Sequence, residues 1–288
     1  PTNASAICGR SRVTQMLDRR HVLIGGMSLV SLAAVGTPAR AEAALRGEFV
    51  QGTLIRGRTE PGATVTVDGT RLGLTKAGDF AFGFAYDRIK AAELTVKLAG
   101  GAVETKSLPV AAREYKIQRI NGLPEKYVEP PAEVLKRIER DNQLIGAARA
   151  RDTDEAWFAD EFDWPVKGPV TGVYGSRRIL NGAEKRPHFG VDIAAGEGKA
   201  IHAPVGAIVA MAETDLYYTG GTVILDHGHG ISTSYLHMSR VDVKVGDRLA
   251  KGDPVGAVGK TGRATGPHLC WRLNWFQERL DAGLVVKG

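Results

Sequence analysis

Six of the seven histidines in this 288-residue chain lie between positions 188 and 268, and their spacing to other polar residues defines the chemistry on offer. His188 and Asp192 stand four apart in His188-Phe-Gly-Val-Asp192. Gly190, Val191 and Ile193 argue for extended chain there, and an even spacing in a strand keeps both side chains on one side. His268 and Cys270 stand two apart after Gly266-Pro267 and would also share a strand face. Neutral imidazole, carboxylate and thiolate are all zinc-capable groups. His237 sits at the end of an apolar strand segment, Tyr235-Leu236-His237-Met238. Each segment alone has a plainer explanation. Short His-x-x-x-Asp matches arise by chance, a cysteine is often simply buried, and a histidine at a strand end can decorate a surface. His227 and His229 flank Gly228 between Asp226 and Gly230, a turn composition that reads as a polar hairpin. His202, before Ala203-Pro204, reads as a surface or packing residue.

The elements that must carry these residues are mostly strands. The chain has 36 glycines, few aromatics and scattered β-branched runs, which favours a mainly β fold over a helical bundle. Over 45–112, Thr64–Val67 alternates and runs into Asp68-Gly69, a hairpin signature. Phe80-Ala81-Phe82 follows Gly78-Asp79, and Leu94–Leu98 runs into Gly100-Gly101. This spacing predicts a small β-sandwich, without His or Cys, that spaces or binds. Pro124, Pro130 and Pro131 mark a linker over 113–160. It should contain a helix with Val134, Leu135, Ile138, Ile145 and Ala148 on one face. Pro131 suits its first turn, and Glu133 and Arg137 are spaced as a supporting pair. From 161 to 288 the β pattern returns with Val205–Val209, Thr222–Asp226, Ser232–Leu236 and a strand and turn over Val241–Asp247. The fold class expected is therefore mainly β: an N-terminal small β-sandwich, a linker helix and a C-terminal Gly-rich antiparallel β domain.

The net charge of +6 is concentrated at the start of the chain. Residues 1–41 hold five arginines and one acid, and the remainder carries a net charge of +2 with no basic run. That argues against a nucleic-acid partner. Met16 is followed by Arg19-Arg20, an apolar stretch from Val22 to Val35 and a small-x-small end at Ala39-Arg40-Ala41. This is the layout of a secretory signal, of twin-arginine type. The apolar run is too short for the ~20 residues of a membrane span. The chain is expected to be exported, to the periplasm or cell wall of a bacterium, with no stable membrane span after signal cleavage. Cys8 would leave with the leader, so Cys270 would remain alone, with no internal disulfide to form.

Read together, the segments resemble the lysostaphin-type, or LytM-domain, zinc endopeptidases that cut peptide cross-links in bacterial cell walls. The resemblance runs from about Trp164 to Leu284. It takes in Gly172-Val-Tyr-Gly-Ser176, His188-Phe-Gly-Val-Asp192-Ile, Ala203-Pro204, Gly206-Ala-Ile-Val209 and Asp226-His-Gly-His-Gly230. It continues through Tyr235-Leu-His237-Met and Thr261-Gly262-Arg-Ala-Thr-Gly266-Pro-His268-Leu. The resemblance implies the duplicated hybrid motif fold, with a Gly-rich antiparallel β domain around an open groove. It implies His188 and Asp192 as the first two zinc ligands and His237 and His268 as catalytic histidines. The family's third ligand is usually the second His of His-x-His; here that position is Cys270. With a thiolate in place of that imidazole the formal charge of the centre falls from +1 to 0. The metal then polarises water and carbonyl less, so activity should be weaker or differently tuned than with histidine. The implied substrate is peptidoglycan. The alternative is a catalytically weak or silent LytM-domain regulator acting on other cell-wall hydrolases, although such regulators usually lose several site residues.

Overall fold

Asp68 and Gly69 both take the left-handed backbone (φ 49° and 77°) and turn the chain between strands Thr64–Val67 and Thr70–Arg71. This is the hairpin chemistry expected of an Asp-Gly pair. The computed structural model describes residues 43–286, and the leader expected over 1–41 lies outside the described residues. Thr64–Val67 belongs to a four-stranded antiparallel sheet with Thr70–Arg71, Ala92–Lys97 and Val103–Leu108. A three-stranded sheet, Ala44–Arg46, Leu54–Arg58 and Asp79–Gly83, shares its core. Ile55, Val65, Phe80, Phe82, Leu94 and Val96 fill the space between.

The segment that follows does more than link. Ile117–Ile120 pairs in parallel with Arg177–Leu180, which in turn pairs with Ala183–Lys185. The helix runs over Leu135–Arg149 after a short 3-10 turn, Ala132–Val134, that Pro131 precedes. Its packing face is narrower than the periodic pattern predicts. Leu144, Ile145 and Ala148 meet Met211, Leu216 and Ile224, whereas Leu135 is exposed. Arg137 pairs with Asp215 at 2.9 Å rather than with Glu133, because the strand end offers a carboxylate and a carbonyl together.

The C-terminal sheet is antiparallel and eight-stranded. Its path runs Arg248–Leu249, Ala207–Leu216, Gly220–Asp226, Ile231–Met238, His268–Trp275, Val191–Ala194 and Val170–Gly172, with Glu278–Leu280 added beside His268–Trp275. The strand expected over Val205–Val209 starts at Ala207 and continues to Leu216. Of Val241–Asp247, expected as a strand and turn, only Val241 is strand, as the end of Arg240–Val241. The two middle strands are buried at every position, so both of their faces are covered. Val209, Val223, Leu225, Tyr235, Leu269 and Trp271 belong to the main core. The described residues are thus mainly antiparallel β with one α-helix, the fold class expected.

Candidate metal centre and groove

The register of two strands sets the site. Val191–Ala194 and His268–Trp275 run antiparallel with Asp192 opposite Cys270 and Ala194 opposite His268. Directly opposite residues present their side chains on one face, which brings carboxylate and sulfur together. His188 arrives from the preceding loop, held by its amide on Ser176 O and its carbonyl on the Gly175 amide. Its Nε2 lies 3.1 Å from Asp192 Oδ1 and 3.2 Å from Cys270 Sγ. Ligand atoms of His188, Asp192 and Cys270 all lie within 4.8 Å of one another, and all three residues are buried. Two glycines keep this space open. A Cβ on Gly172 would stand 2.3 Å from Asp192 Oδ2, and one on Gly190 would stand 2.9 Å from Cys270 Sγ.

His237 and His268 stand beside this group with ring centroids 4.8 Å apart. His237 Nδ1–H donates to the Thr261 carbonyl at 2.8 Å. His268 Nδ1–H donates to the Gly266 carbonyl at 2.9 Å and its Nε2 lies 3.8 Å from Asp192 Oδ1. Each backbone acceptor fixes the tautomer, so in the neutral rings Nε2 keeps its lone pair. The backbone of His237 is left-handed (φ 66°), an orientation that aims the ring from the strand end and that few L residues adopt readily. Asp192, His237 and His268 line a groove of about 260 Å³ that Thr171, Arg178 and Arg263 also line. Ile120 and Leu123, from the segment before the helix, form part of its wall.

Burial dominates the electrostatics. It lowers His188 to about 4 against the pull of the neighbouring Asp192. It lowers His237 to about 3, aided by the charge of His268. Burial opposes ionisation of Asp192, but the contact with His188 and the charge of Arg178 outweigh it and hold the carboxyl below its ordinary range. Burial and the Asp192 charge push the Cys270 thiol up to about 12. Asp192 Oδ1 makes no hydrogen bond of acceptable geometry despite its close imidazole, whereas Oδ2 accepts from Arg178 Nη2 at 2.9 Å. A buried acceptor without a donor calls for an explanation. A divalent ion that takes nitrogen, oxygen and sulfur ligands together satisfies it, and zinc is the ion this donor set suits.

Sequence reasoning placed five residues at the site, His188, Asp192, Cys270, His237 and His268, and the structure brings all five together. It missed Arg178, whose only sequence cue is its position 14 residues before Asp192, and it missed the strand that carries Arg178. The remaining histidines lie elsewhere. His227 is fully buried, its Nδ1–H on Gly206 O and its Nε2 accepting from Thr233 Oγ1, so it locks a turn rather than decorating one. His229 is buried beside Phe158. His202 is exposed and bonds Gly252 O.

Comparison with known proteins converges on one family. The model of Peptidase family M23 matches residues 186–282. A peptidoglycan DD-endopeptidase of Vibrio cholerae, ShyA, is 38% identical over 114 residues, covering 38% of this chain and 26% of its own. A metalloprotease of Haemophilus influenzae is 33% identical over 183 residues, covering 62% of this chain and 33% of its own. The chain therefore spans about a quarter to a third of the length of these curated relatives. A Pseudomonas aeruginosa crystal structure, described as a candidate peptidase M23, superposes with a TM-score of 0.62 at 26% identity and covers 87% of this chain and 95% of its own. The strands that bring His188, Asp192 and Cys270 together fall inside the matched segment, and residues 186–282 are a domain of peptidase family M23.

Proposed function

We propose that this chain is a zinc-dependent endopeptidase that hydrolyses peptide cross-links of bacterial peptidoglycan, the substrate class named for its Vibrio relative. One observation carries the reading: three buried donor atoms of zinc type converge beside two histidines whose Nε2 atoms are free. His188, Asp192 and Cys270 would hold the ion. Bound zinc supplies Lewis acidity to a water and to the scissile carbonyl. His237 is neutral at physiological pH because burial depresses it, and its Nε2 is ready to accept a proton from that water. The proton that His237 would accept on Nε2 is the one to be passed on to the leaving amine, and His268, anchored on Gly266 O at the groove, offers its Nε2 as a second acceptor that orients the attacking water. Arg178 holds the second oxygen of Asp192 and so fixes the carboxylate that the ion shares.

Export through the leader over 1–41 would place the enzyme with its substrate. No helix among the described residues is long and apolar enough to cross a membrane. A silent regulator of other wall hydrolases would have little reason to keep both histidines tautomerically fixed beside a complete donor set. The test combines metal content with digestion of purified peptidoglycan. His237→Asn tolerates the left-handed backbone and should keep zinc at one equivalent while losing digestion. Asp192→Asn should lose zinc and digestion together. Digestion that survives His237→Asn refutes the mechanism, and a wild-type chain that holds no zinc refutes the enzyme.

A further inference from the structure

The end of the helix Leu135–Arg149 buries positive charge that nothing of opposite sign meets. Arg149 is 4% exposed, and among the described residues its side chain makes no hydrogen bond or ion pair. The charges that reach it are those of Arg279 and Arg272. Arg279 in turn lies within reach of Arg272 and Arg186, with Tyr174 and the exposed strand residue Glu278 acting in the opposite sense.

Strand register places the rest of the group. Arg272 stands opposite Ser234, Asn274 opposite Ser232, and Arg279 opposite Asn274. Because Cys270, Arg272 and Asn274 alternate along one strand, these residues occupy the same sheet face as the metal-type cluster, in the next two rows. Five buried polar atoms here have no partner: Arg149 Nε, Arg272 Nε, Ser232 Oγ, Ser234 Oγ and Asn274 Oδ1. Asp226, opposite Ser232, is engaged by Thr153 and the Gly228 amide. Gln277 bonds Gly146 O, so the turn after the strand closes against the last turn of the helix.

An arginine cannot shed its proton to escape burial, and an unpaired buried charge is costly. The negative end of the helix accounts for a cation at Arg149, but not for idle donors on three separate elements. We propose that this face binds an oxyanion, a phosphate or a carboxylate, between Arg149, Arg272 and Arg279, with the Ser232 and Ser234 hydroxyls donating to it. Planar guanidinium groups grip two oxygens of such an ion at once. Arg272 and Arg279 are only partly buried, which leaves the ligand a way in. Asn274 Oδ1, the one acceptor, takes a protonated oxygen or bridging water of the ligand. The site adjoins the metal-type cluster, since the Arg272 side chain also reaches Cys270, but it does not depend on peptidase activity.

The experiment is calorimetric titration and thermal melting of the full chain with sodium phosphate, sodium acetate or sodium chloride at matched ionic strength. Phosphate or acetate should bind and raise the melting temperature above the chloride control; phosphate alone assigns a phosphate ligand, and acetate alone assigns a carboxylate. Arg149→Gln should weaken binding about tenfold or more, the loss of one charge-assisted bond. The paired Ser232→Ala and Ser234→Ala variant, which disturbs folding least, should weaken it too. His188→Ala should leave it unchanged. Equal behaviour in all three salts overturns the proposal, as does binding that vanishes in His188→Ala yet persists in Arg149→Gln.

Discussion

Cys270 places sulfur where the family's pattern carries imidazole, and the consequence is one of charge. With His188 neutral, Asp192 ionised and Cys270 as thiolate, the ligands cancel the charge of a divalent ion. Arg178, 2.9 Å from the far oxygen of Asp192, is the nearby cation that offsets part of that cancellation. The free thiol, pushed up to about 12 by burial and by Asp192, is protonated at any working pH, whereas His188 at about 4 and Asp192 below its ordinary range have no proton to lose. Loading the ion therefore displaces one proton, and apparent zinc affinity should rise about tenfold per pH unit between pH 6 and 8. Competition against a chromophoric chelator measures this, and a flat profile would mean that sulfur is not a ligand. Cys270→Ser should weaken zinc retention by at least about 100-fold while leaving the melting temperature of the metal-free chain nearly unchanged. Cys270→His should restore the +1 centre and speed wall digestion several-fold, provided the chain still holds one zinc by mass spectrometry.

At the scale of elements, the site depends on a strand that precedes the matched family segment. Ile117–Ile120 supports Arg177–Leu180 from its outer side, with Gln118 opposite Arg178. The flanking bonds, Arg177 N to Lys116 O and Asn181 N to Ile120 O, put Gln118 in the position whose own amide faces the partner strand. Gln118→Pro removes that donor and with it one ladder hydrogen bond, a net loss of about 1 kcal/mol before any rearrangement of the strand. It should free Arg178, lower zinc retention and expose the segment before the helix to limited proteolysis, while tryptophan fluorescence reports an intact main sheet. Unchanged proteolysis would show that the strand is not needed to hold Arg178. This strand also marks the limit of what was legible in the sequence. The shared side of His268 and Cys270 was readable because a period of two is local, whereas His188 reaches the group from a loop that no period describes. The Asp68-Gly69 turn was readable because few residues tolerate its backbone. Ile117–Ile120 sits among prolines without alternation, and its partner lies some 60 residues on, so no local pattern announces the pair. Arg137 reads as a partner for Glu133 and Arg178 carries no local cue, and only the folded chain shows them on Asp215 and Asp192.

Across the whole molecule, the N-terminal strands and the peptidase sheet are joined by buried polar contacts as well as by apolar packing. Arg56 Nε donates to Phe158 O at 2.7 Å, and Arg113 pairs with Asp281 at 2.9 Å where the Asp281 amide also bonds Gly52 O. Arg113→Ala would strand a carboxylate that is only 8% exposed and should cost about 3 kcal/mol in denaturant unfolding. The response of the molecule to acid follows from its buried imidazoles. His227 is lowered to about 4 by burial, its bond to Gly206 O opposing, although it lies away from the groove. An unfolded chain takes up that proton near pH 6.5, and the folded chain refuses it until about 4. Between those values the unfolded state binds more protons, so stability is whole above about 6.5, falls as pH drops toward 4 and levels off below. A shift of this size is worth about 3 kcal/mol for the one residue. His227→Gln keeps an amide for Gly206 O but cannot titrate. Melted in chelator across pH 4 to 7, so that metal loss adds nothing, the variant should be less stable than wild type at pH 7 and lose less stability on acidification. His188 and His237 titrate alike in both chains, so the difference between the two slopes belongs to His227; parallel slopes would mean that its imidazole is not held neutral in the fold.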